Sequence, residues 1–205
     1  MKKRNELKKI ILPNQKINIF ITSTMLLGII SGSIFLTMLN KTDKENIISR
    51  IQSFFELISK GNINSGLALK NSLIINYLFI GLIWILGLSM IGIIINILLT
   101  YIKGFITGFS IASIFLTYSY KGIPASFIYL IFSQIINIII IIILSIYSIM
   151  FSYNLLKIII NKKGKLILKK YIIILMLLVI LSFISSLSEA YLFPRVLKLI
   201  IKIYT

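Results

Sequence analysis

Residues 73–118 read LIINYLFIGLIWILGLSMIGIIINILLTYIKGFITGFSIASIFLTY, and Lys103 is the only charged residue among them. A helix needs about 20 mainly apolar residues to cross a membrane, so this stretch is too long for one crossing and long enough for two. The chain turns either near Gly87-Leu88-Ser89 or at Lys103-Gly104. Both divisions predict two membrane-spanning helices and leave the rest of the chain in the same orientation.

Three further apolar stretches of membrane-spanning length lie at residues 17–39, 125–153 and 171–192. The whole chain is 58% hydrophobic and 13% charged, whereas a soluble domain is about 45–50% apolar and about 25% charged. The sequence therefore predicts an all-α protein, a polytopic transmembrane helix bundle of about five spans. Whether residues 122–132 span the membrane or re-enter it stays open at this stage.

The positions of the basic residues predict the orientation of the bundle. Residues 1–16 hold six basic residues and one acid, residues 154–170 hold six and none, and residues 40–72 hold five and three. Basic loops favour the cytoplasmic side. We therefore predict a multi-pass cell-membrane protein with a cytoplasmic N-terminus (1–16), an uncleaved first span (17–39), an extracytoplasmic segment (40–72) and a four-span bundle (73–205). That bundle contains the cytoplasmic loop 154–170 and ends in a short external tail.

Composition argues against catalysis. The chain has no Cys and no His, and only five acidic residues, which removes the usual ligands of zinc and the usual thiol or imidazole catalysts. We predict no enzymatic activity, no cofactor and no metal. The formal net charge of +17 comes from residues at the edges of apolar stretches, which indicates contact with phospholipid headgroups and not with nucleic acid.

The segment 40–72 contains an amphipathic helix by its pattern. Thr42-Asp43-Lys44-Glu45 fits a capping box at a helix start, and Gly61 is placed to end the helix. Apolar residues recur at helical spacing on one face: Ile47, Ile48, Ile51, Phe54, Phe55 and Ile58. This face either rests on the membrane surface or on the protein's own bundle, or it binds a partner.

Among the polar residues inside or beside apolar stretches, three are the main candidates for an intramembrane polar role: Lys103, Gln134 and Glu189. A charge in mid-membrane costs at least about 2.5–3.5 kcal/mol, so such a residue usually faces protein and finds a partner. For Glu189 the candidate partners are the neighbouring serines, Lys121 or Lys103. We interpret Glu189 first as a residue with a structural role. The alternative interpretation places it in an ion pathway.

The ion-pathway interpretation of Glu189 belongs to an alternative function, a small transporter or channel subunit. It predicts that Glu189 faces other polar residues inside the bundle, namely Asn76, Asn96, Gln134 and Asn137. The same side chains also suit hydrogen bonds between helices.

Six glycines are predicted to serve helix packing. Gly28 and Gly32, like Gly104 and Gly108, are spaced four residues apart, a pattern that lets two helices approach closely in lipid. Gly81 and Gly87 lie in the same apolar stretch as Gly104 and Gly108, residues 73–118. Contact within one chain is the default interpretation, and a homo-oligomer is the alternative.

Several stretches carry a resemblance to a known family. They are Leu39-Asn40, Ser53-Phe54-Phe55, Ser59-Lys60-Gly61-Asn62-Ile63, YLFIGLIWILG at 77–87, KGFITGF at 103–109, and Glu189-Ala190-Tyr191 with Pro194. In this order they resemble the stage II sporulation protein M family, DUF95-type membrane proteins of endospore-forming Firmicutes. The family often shows Pro-His-Gly before its fourth span. This chain has Ser133-Gln134-Ile135 there, so a role of that element is not carried over.

The resemblance implies a function during sporulation. Members of the family act in engulfment, when the mother-cell septal membrane moves around the forespore, together with two peptidoglycan-degrading partners, stage II sporulation proteins D and P. The membrane protein then serves as their anchor and scaffold. Within this scheme we predict a partner-binding face on the external helix, formed by Ile47, Ile51, Phe54, Phe55 and Ile58.

Overall fold

The computed structural model describes residues 15–161 and 168–204. Most of the predicted basic N-terminus and the centre of the predicted loop 154–170 lie outside these residues. A 3₁₀ turn, Ser119–Lys121, and two π-helical segments interrupt the helices. The α-helices are α1 (Gln15–Met38), α2 (Lys41–Lys60), α3 (Ser65–Gly87), α4 (Gly92–Tyr118), α5 (Gly122–Tyr129), α6 (Ile135–Asn161), α7 (Leu168–Leu187) and α8 (Phe193–Tyr204).

Five helical stretches in the described residues are long and apolar enough to cross a membrane, and the predicted fold class is confirmed. They are α1, α3, α4, the continuous stretch Gly122–Ile160 and the continuous stretch Leu168–Leu199. The first π segment (Leu130–Gln134) joins α5 to α6, and the second π segment (Ser188–Leu192) joins α7 to α8. Residues 122–132 are helical and continue into α6 through the first π segment, within one apolar stretch of 39 residues.

The turn between α3 and α4 follows Gly87, which is the first of the two predicted divisions. The Ser89 hydroxyl oxygen accepts a hydrogen bond from the backbone N–H of Gly92 at 3.0 Å, and the Ser89 N–H donates to the carbonyl oxygen of Leu86 at 3.0 Å. These bonds satisfy backbone groups that a helix end leaves free. Lys103 therefore lies within α4 and not at a turn.

Three helix boundaries differ from the sequence expectations. α2 begins at Lys41 after Asn40 and shows no side-chain cap bond, so the predicted capping box at Thr42 is not formed. α3 begins at Ser65, before the predicted residue 73, because the Asn64 side chain accepts a hydrogen bond from the Leu67 N–H at 3.1 Å. Gly61 ends α2 as predicted, with a φ of 73°, a left-handed conformation that glycine adopts without steric cost.

The C-terminal segment is the third difference, because it forms the amphipathic helix α8 and not a short tail. Phe193 and Leu197 are buried on one face, whereas Arg195 and Lys198 are exposed on the other. Phe193, Val196 and Leu197 recur at helical spacing. They lie beyond residue 192, the end of the last predicted span, and were therefore assigned to the tail.

α1 and α4 pack against each other through their predicted glycines. A Cβ atom added to Gly28 or Gly32 would overlap with the backbone of α4, and one added to Gly104 or Gly108 would overlap with the backbone of α1. Small residues at these positions thus permit backbone contact between two helices of one chain.

The remaining two predicted glycines differ from each other. A Cβ at Gly87 would overlap with the Ser148 and Tyr171 hydroxyl groups, so Gly87 also permits close contact between helices. The predicted packing role of Gly81 is not seen, because no neighbouring atom of the described chain lies within 4 Å of a Cβ built there.

Candidate functional site

α2 lies across one end of the bundle, which is called here the α2 end. Part of its apolar face packs against the bundle. Phe55 is 7% exposed and Ile58 2% exposed, and both belong to a core cluster with Ile114 and Leu197. The rings of Phe55 and Tyr118 are 4.7 Å apart. Phe55 and Ile58 were predicted to present a partner-binding face. The structure corrects this placement, since intramolecular packing covers both side chains.

The other three predicted residues remain accessible. Phe54 is 43% exposed and its ring stacks on that of Phe193 with a centroid distance of 6.4 Å and an interplanar angle of 16°. Ile47 and Ile51 are half-buried. All three line a cavity beside α2, so this part of the predicted face stays open.

This cavity, called here the α2 groove, has a volume of about 520 Å³. It lies between α2, the first turns of α3, the end of α4 and the second π segment. Its volume falls in the range of about 300–1,000 Å³ that is usual for ligand pockets, and a mainly apolar lining with a few polar groups is equally usual. The polar lining includes Arg50, Ser72, Tyr129 and Glu189.

Glu189 is held at the groove by a hydrogen-bond network. The Ser72 hydroxyl donates to Glu189 Oε2 at 2.6 Å. Asn76 Nδ2 donates to the hydroxyl oxygens of Ser72 at 3.2 Å and Ser186 at 3.1 Å. Glu189 Oε1 accepts no hydrogen bond from a described side chain. The Lys103 ammonium lies more than 4 Å from the Glu189 carboxylate, so the two groups do not form a direct ion pair. One carboxylate oxygen is thus fixed and the other is free to accept.

The two π segments lie side by side next to this carboxylate. Ser188 in the second segment donates a hydrogen bond to the carbonyl oxygen of Phe132 in the first, at 2.9 Å. A π turn inserts an extra residue into a helix and occurs frequently at functional sites. The second π segment carries Glu189 itself, so the irregular backbone and the charged group coincide.

The other polar residues inside the bundle form hydrogen bonds away from Glu189. Asn96 donates to Ser148, and Asn137 donates to the carbonyl oxygen of Ser133 at 2.9 Å. Thr107 donates to Gln134 Oε1 at 3.5 Å. Among the described residues these bonds form groups that are separate from the Glu189 network. The bonds of Asn96 and Thr107 therefore connect neighbouring helices, whereas that of Asn137 stays within its own helical stretch, and none of these bonds leads to Glu189.

Lys103 is buried within α4, and its Nζ lies 5.4 Å from the centroid of the Phe79 ring. This distance is within the range of a cation–π contact, which stabilises a cation by about 0.5–2 kcal/mol depending on solvent access. Lys103 thus has an aromatic neighbour on α3, and it also interacts electrostatically with Glu189, one of the carboxylate–cation pairings that the sequence suggested, although the two do not form a direct ion pair.

The face of α2 that points away from the bundle is charged. Lys60 donates a hydrogen bond to Glu56 at 2.5 Å. This bond, together with the positive charge of Lys60, lowers the pKa of the Glu56 carboxyl below its ordinary value. A charged outer face opposite an apolar inner face is typical of a helix at a membrane surface.

A protein-family model matches the part of the chain that contains both the contact between α1 and α4 and the α2 groove. The family model described as "Stage II sporulation protein M" matches residues 21–194, from α1 to Pro194 at the start of α8. The chain belongs to the stage II sporulation protein M family. The resemblance noted in the sequence is thereby confirmed. No curated protein and no solved structure matches this stage II sporulation protein M family member at a significant level.

Two features of the site in this stage II sporulation protein M family member could not be read from its sequence. The partner of Glu189 is Ser72, which is 117 residues away along the chain and lies in a segment predicted to be outside the membrane. The closing wall of the groove comes from Phe193 and Pro194, at the start of a helix that was predicted as a tail. The helical spacing in residues 193–197 was the available signal.

Proposed function

We propose that this protein is a non-enzymatic membrane anchor that localises peptidoglycan-degrading proteins during forespore engulfment. The observation that supports this function best is the α2 groove, an open apolar surface at one end of a bundle of membrane-spanning helices. The partners that the family resemblance implies are stage II sporulation proteins D and P. The chain would act in the mother-cell septal and engulfing membrane.

The charge distribution supports an outward orientation of the α2 end. α1 begins and α6 ends at the opposite end of the bundle, since each span reverses the direction of the chain. The sequence segments beyond these two helix ends carry the clusters of basic residues, which favour the cytoplasm. The α2 groove then faces the side of the membrane on which peptidoglycan lies.

The chemistry of the groove suits protein binding. Aromatic side chains that are partly exposed at the centre of an apolar surface often dominate the energy of protein interfaces. Phe54 is such a side chain, because it is exposed, lines the groove and is supported from below by Phe193. Ile47 and Ile51 extend the apolar surface along α2.

The alternative function, a transporter or channel subunit, receives less support from the structure. It requires polar groups that connect across the membrane. Within the described residues, Asn76 joins the Glu189 network through Ser72. The other three polar residues named for this alternative hydrogen-bond in groups that do not reach Glu189: Asn96, Gln134 and Asn137. Anchoring is therefore the function that we develop further.

Replacing Phe54 by alanine should reduce the amounts of proteins D and P that co-purify with this protein by about tenfold or more, because a central aromatic residue contributes about 2 kcal/mol or more to an interface. Quantitative immunoblots of detergent extracts from sporulating cells provide the measurement. The amount of the anchor itself should not change.

Phe20→Ala is the matched control, because Phe20 is also exposed but lies near the opposite end of the bundle. Equal recovery of both hydrolases with Phe54→Ala and with the parent would contradict the proposed binding surface. Absence of both hydrolases from the parent sample would contradict the anchoring function itself.

A further inference from the structure

The α2 groove contains a charged acceptor that its own chain does not fully use. Glu189 Oε1 accepts no hydrogen bond from a described side chain, although Glu189 lines the groove. The network of Ser72, Asn76 and Ser186 fixes the carboxylate through Oε2. Such a group is positioned before any ligand arrives, so the ordering cost of binding to it is small.

The environment of Glu189 determines what the missing donor should be. Lys103 supplies an opposite charge from a distance, but it forms no ion pair with Glu189 and donates no hydrogen bond to Oε1. A charged side chain within a membrane-spanning segment is costly unless a group pairs with it directly. The lipid chains that would otherwise fill an apolar groove carry no donor. A lysine or arginine on a neighbouring helix supplies both the donor and the opposite charge, and charge-assisted hydrogen bonds are about twice as strong as neutral ones.

From these contacts we infer that the groove receives an apolar helical segment of a partner membrane protein, and that a lysine or arginine of this segment pairs with Glu189. This inference rests on the proposed anchoring function and adds to it the chemistry of recognition. The apolar side chains of the segment contact Phe54 and Ile75, and its cation meets the free carboxylate oxygen.

A second charge in the groove fixes how the segment is placed. Arg50 on α2 also lines the groove and is exposed, so it repels a cation located near the mouth. Glu189 attracts that cation to the second π segment. Opposite charges at two positions of one groove favour a single register of the bound helix.

The experiment is site-specific photo-crosslinking in sporulating cells. A photoreactive phenylalanine derivative replaces Ile75, which lines the groove and is 53% exposed, and mass spectrometry identifies the crosslinked molecule. We expect a peptide from an apolar segment that contains a lysine or arginine. Glu189→Gln should lower the crosslink yield by about tenfold, which corresponds to about 1.4 kcal/mol.

Glu56→Gln is the matched control, since it makes the same chemical change on the exposed face of α2 and should leave the yield unchanged. If Glu189→Gln does not accumulate, the charge-swapped pair replaces it: Glu189→Lys with the partner's basic residue changed to glutamate should restore the crosslink, and no restoration overturns the inference.

The other outcomes separate this inference from the proposed function. Crosslinks to a protein segment without a basic residue, or an unchanged yield with Glu189→Gln, overturn the inference and leave the anchoring function standing. Crosslinks to lipid only overturn both.

Discussion

Alanine in place of Gly32 or Gly108 is expected to lower the free energy of unfolding by about 1–3 kcal/mol or more, the usual cost of forcing atoms into a closely packed contact. A methyl group at Gly32 would overlap with the carbonyl oxygen of Phe105, and one at Gly108 with that of Ile29. Both obstacles are backbone atoms inside helices, so they cannot rotate aside. The two helices must separate to admit the methyl group.

Separation of α1 from α4 would also break the hydrogen bonds between these helices. Ser33 Oγ donates to the carbonyl oxygen of Gly108 at 3.1 Å, and the Tyr101 hydroxyl donates to Ser31 Oγ at 2.7 Å. Ser33 Oγ also reaches the carbonyl oxygen of Ile29 in its own helix, at 3.0 Å. Lipid offers the Tyr101 hydroxyl no replacement partner, so the loss of its bond adds to the steric cost. The effect of alanine should therefore exceed that of a change in helix propensity.

The measurement is the thermal unfolding midpoint of the purified protein in detergent, and Gly81→Ala is the matched control. A Cβ at Gly81 meets no neighbouring atom within 4 Å, and alanine favours a helix over glycine by about 1 kcal/mol. Gly81→Ala should therefore leave the midpoint unchanged or raise it. Equal midpoints for Gly32→Ala, Gly108→Ala and the parent would contradict the close contact of α1 with α4.

Replacing Phe55 by alanine is expected to weaken the packing of α2 on the bundle by about 3–5 kcal/mol, the range for truncating a buried phenylalanine. We expect α2 to detach as a result. Phe55 fills the space between α2, Ile114 and Phe193, and its ring contacts Tyr118. Phe54→Ala should cost much less, because Phe54 is 43% exposed. We therefore expect two adjacent phenylalanines to differ in role, with Phe55 acting in folding and Phe54 in the proposed binding.

The accessibility of an introduced cysteine measures this detachment. The chain has no native cysteine, and Leu197 is fully buried in the same cluster as Phe55. In the Leu197→Cys background, Phe55→Ala should increase the rate of maleimide labelling at position 197, whereas Phe54→Ala should not. Equal labelling rates for the two variants would show that α2 is not held by Phe55.

The spans could be predicted from the sequence because hydrocarbon imposes a length and an apolar composition on each of them. Gly28, Gly32, Gly104 and Gly108 also carried their own signal, since a small residue at every fourth position has few uses other than close contact. Gly81 shows the limit of this reasoning. Its neighbours in space, and not its sequence context, decide whether its size matters.

The candidate site was less predictable because it depends on contacts that are distant in sequence. Glu189 was recognisable as a costly charge, but its partner Ser72 was assigned to an external segment. The fate of the α2 face was equally open, since amphipathic periodicity does not distinguish a helix that packs on its own protein from one that binds another. In the structure, α2 packs on its own protein through Phe55 and leaves Phe54 exposed.

Labelling of single cysteines in intact cells tests the central claim, that the α2 groove opens to the outside of the membrane. Ser53→Cys places a thiol on the exposed face of α2, and Lys157→Cys places one on an exposed position near the opposite end of the bundle. We predict that a membrane-impermeant maleimide labels position 53 in intact protoplasts and labels position 157 only after permeabilisation. The reverse pattern would put the groove in the cytoplasm and contradict the anchoring of peptidoglycan-degrading partners.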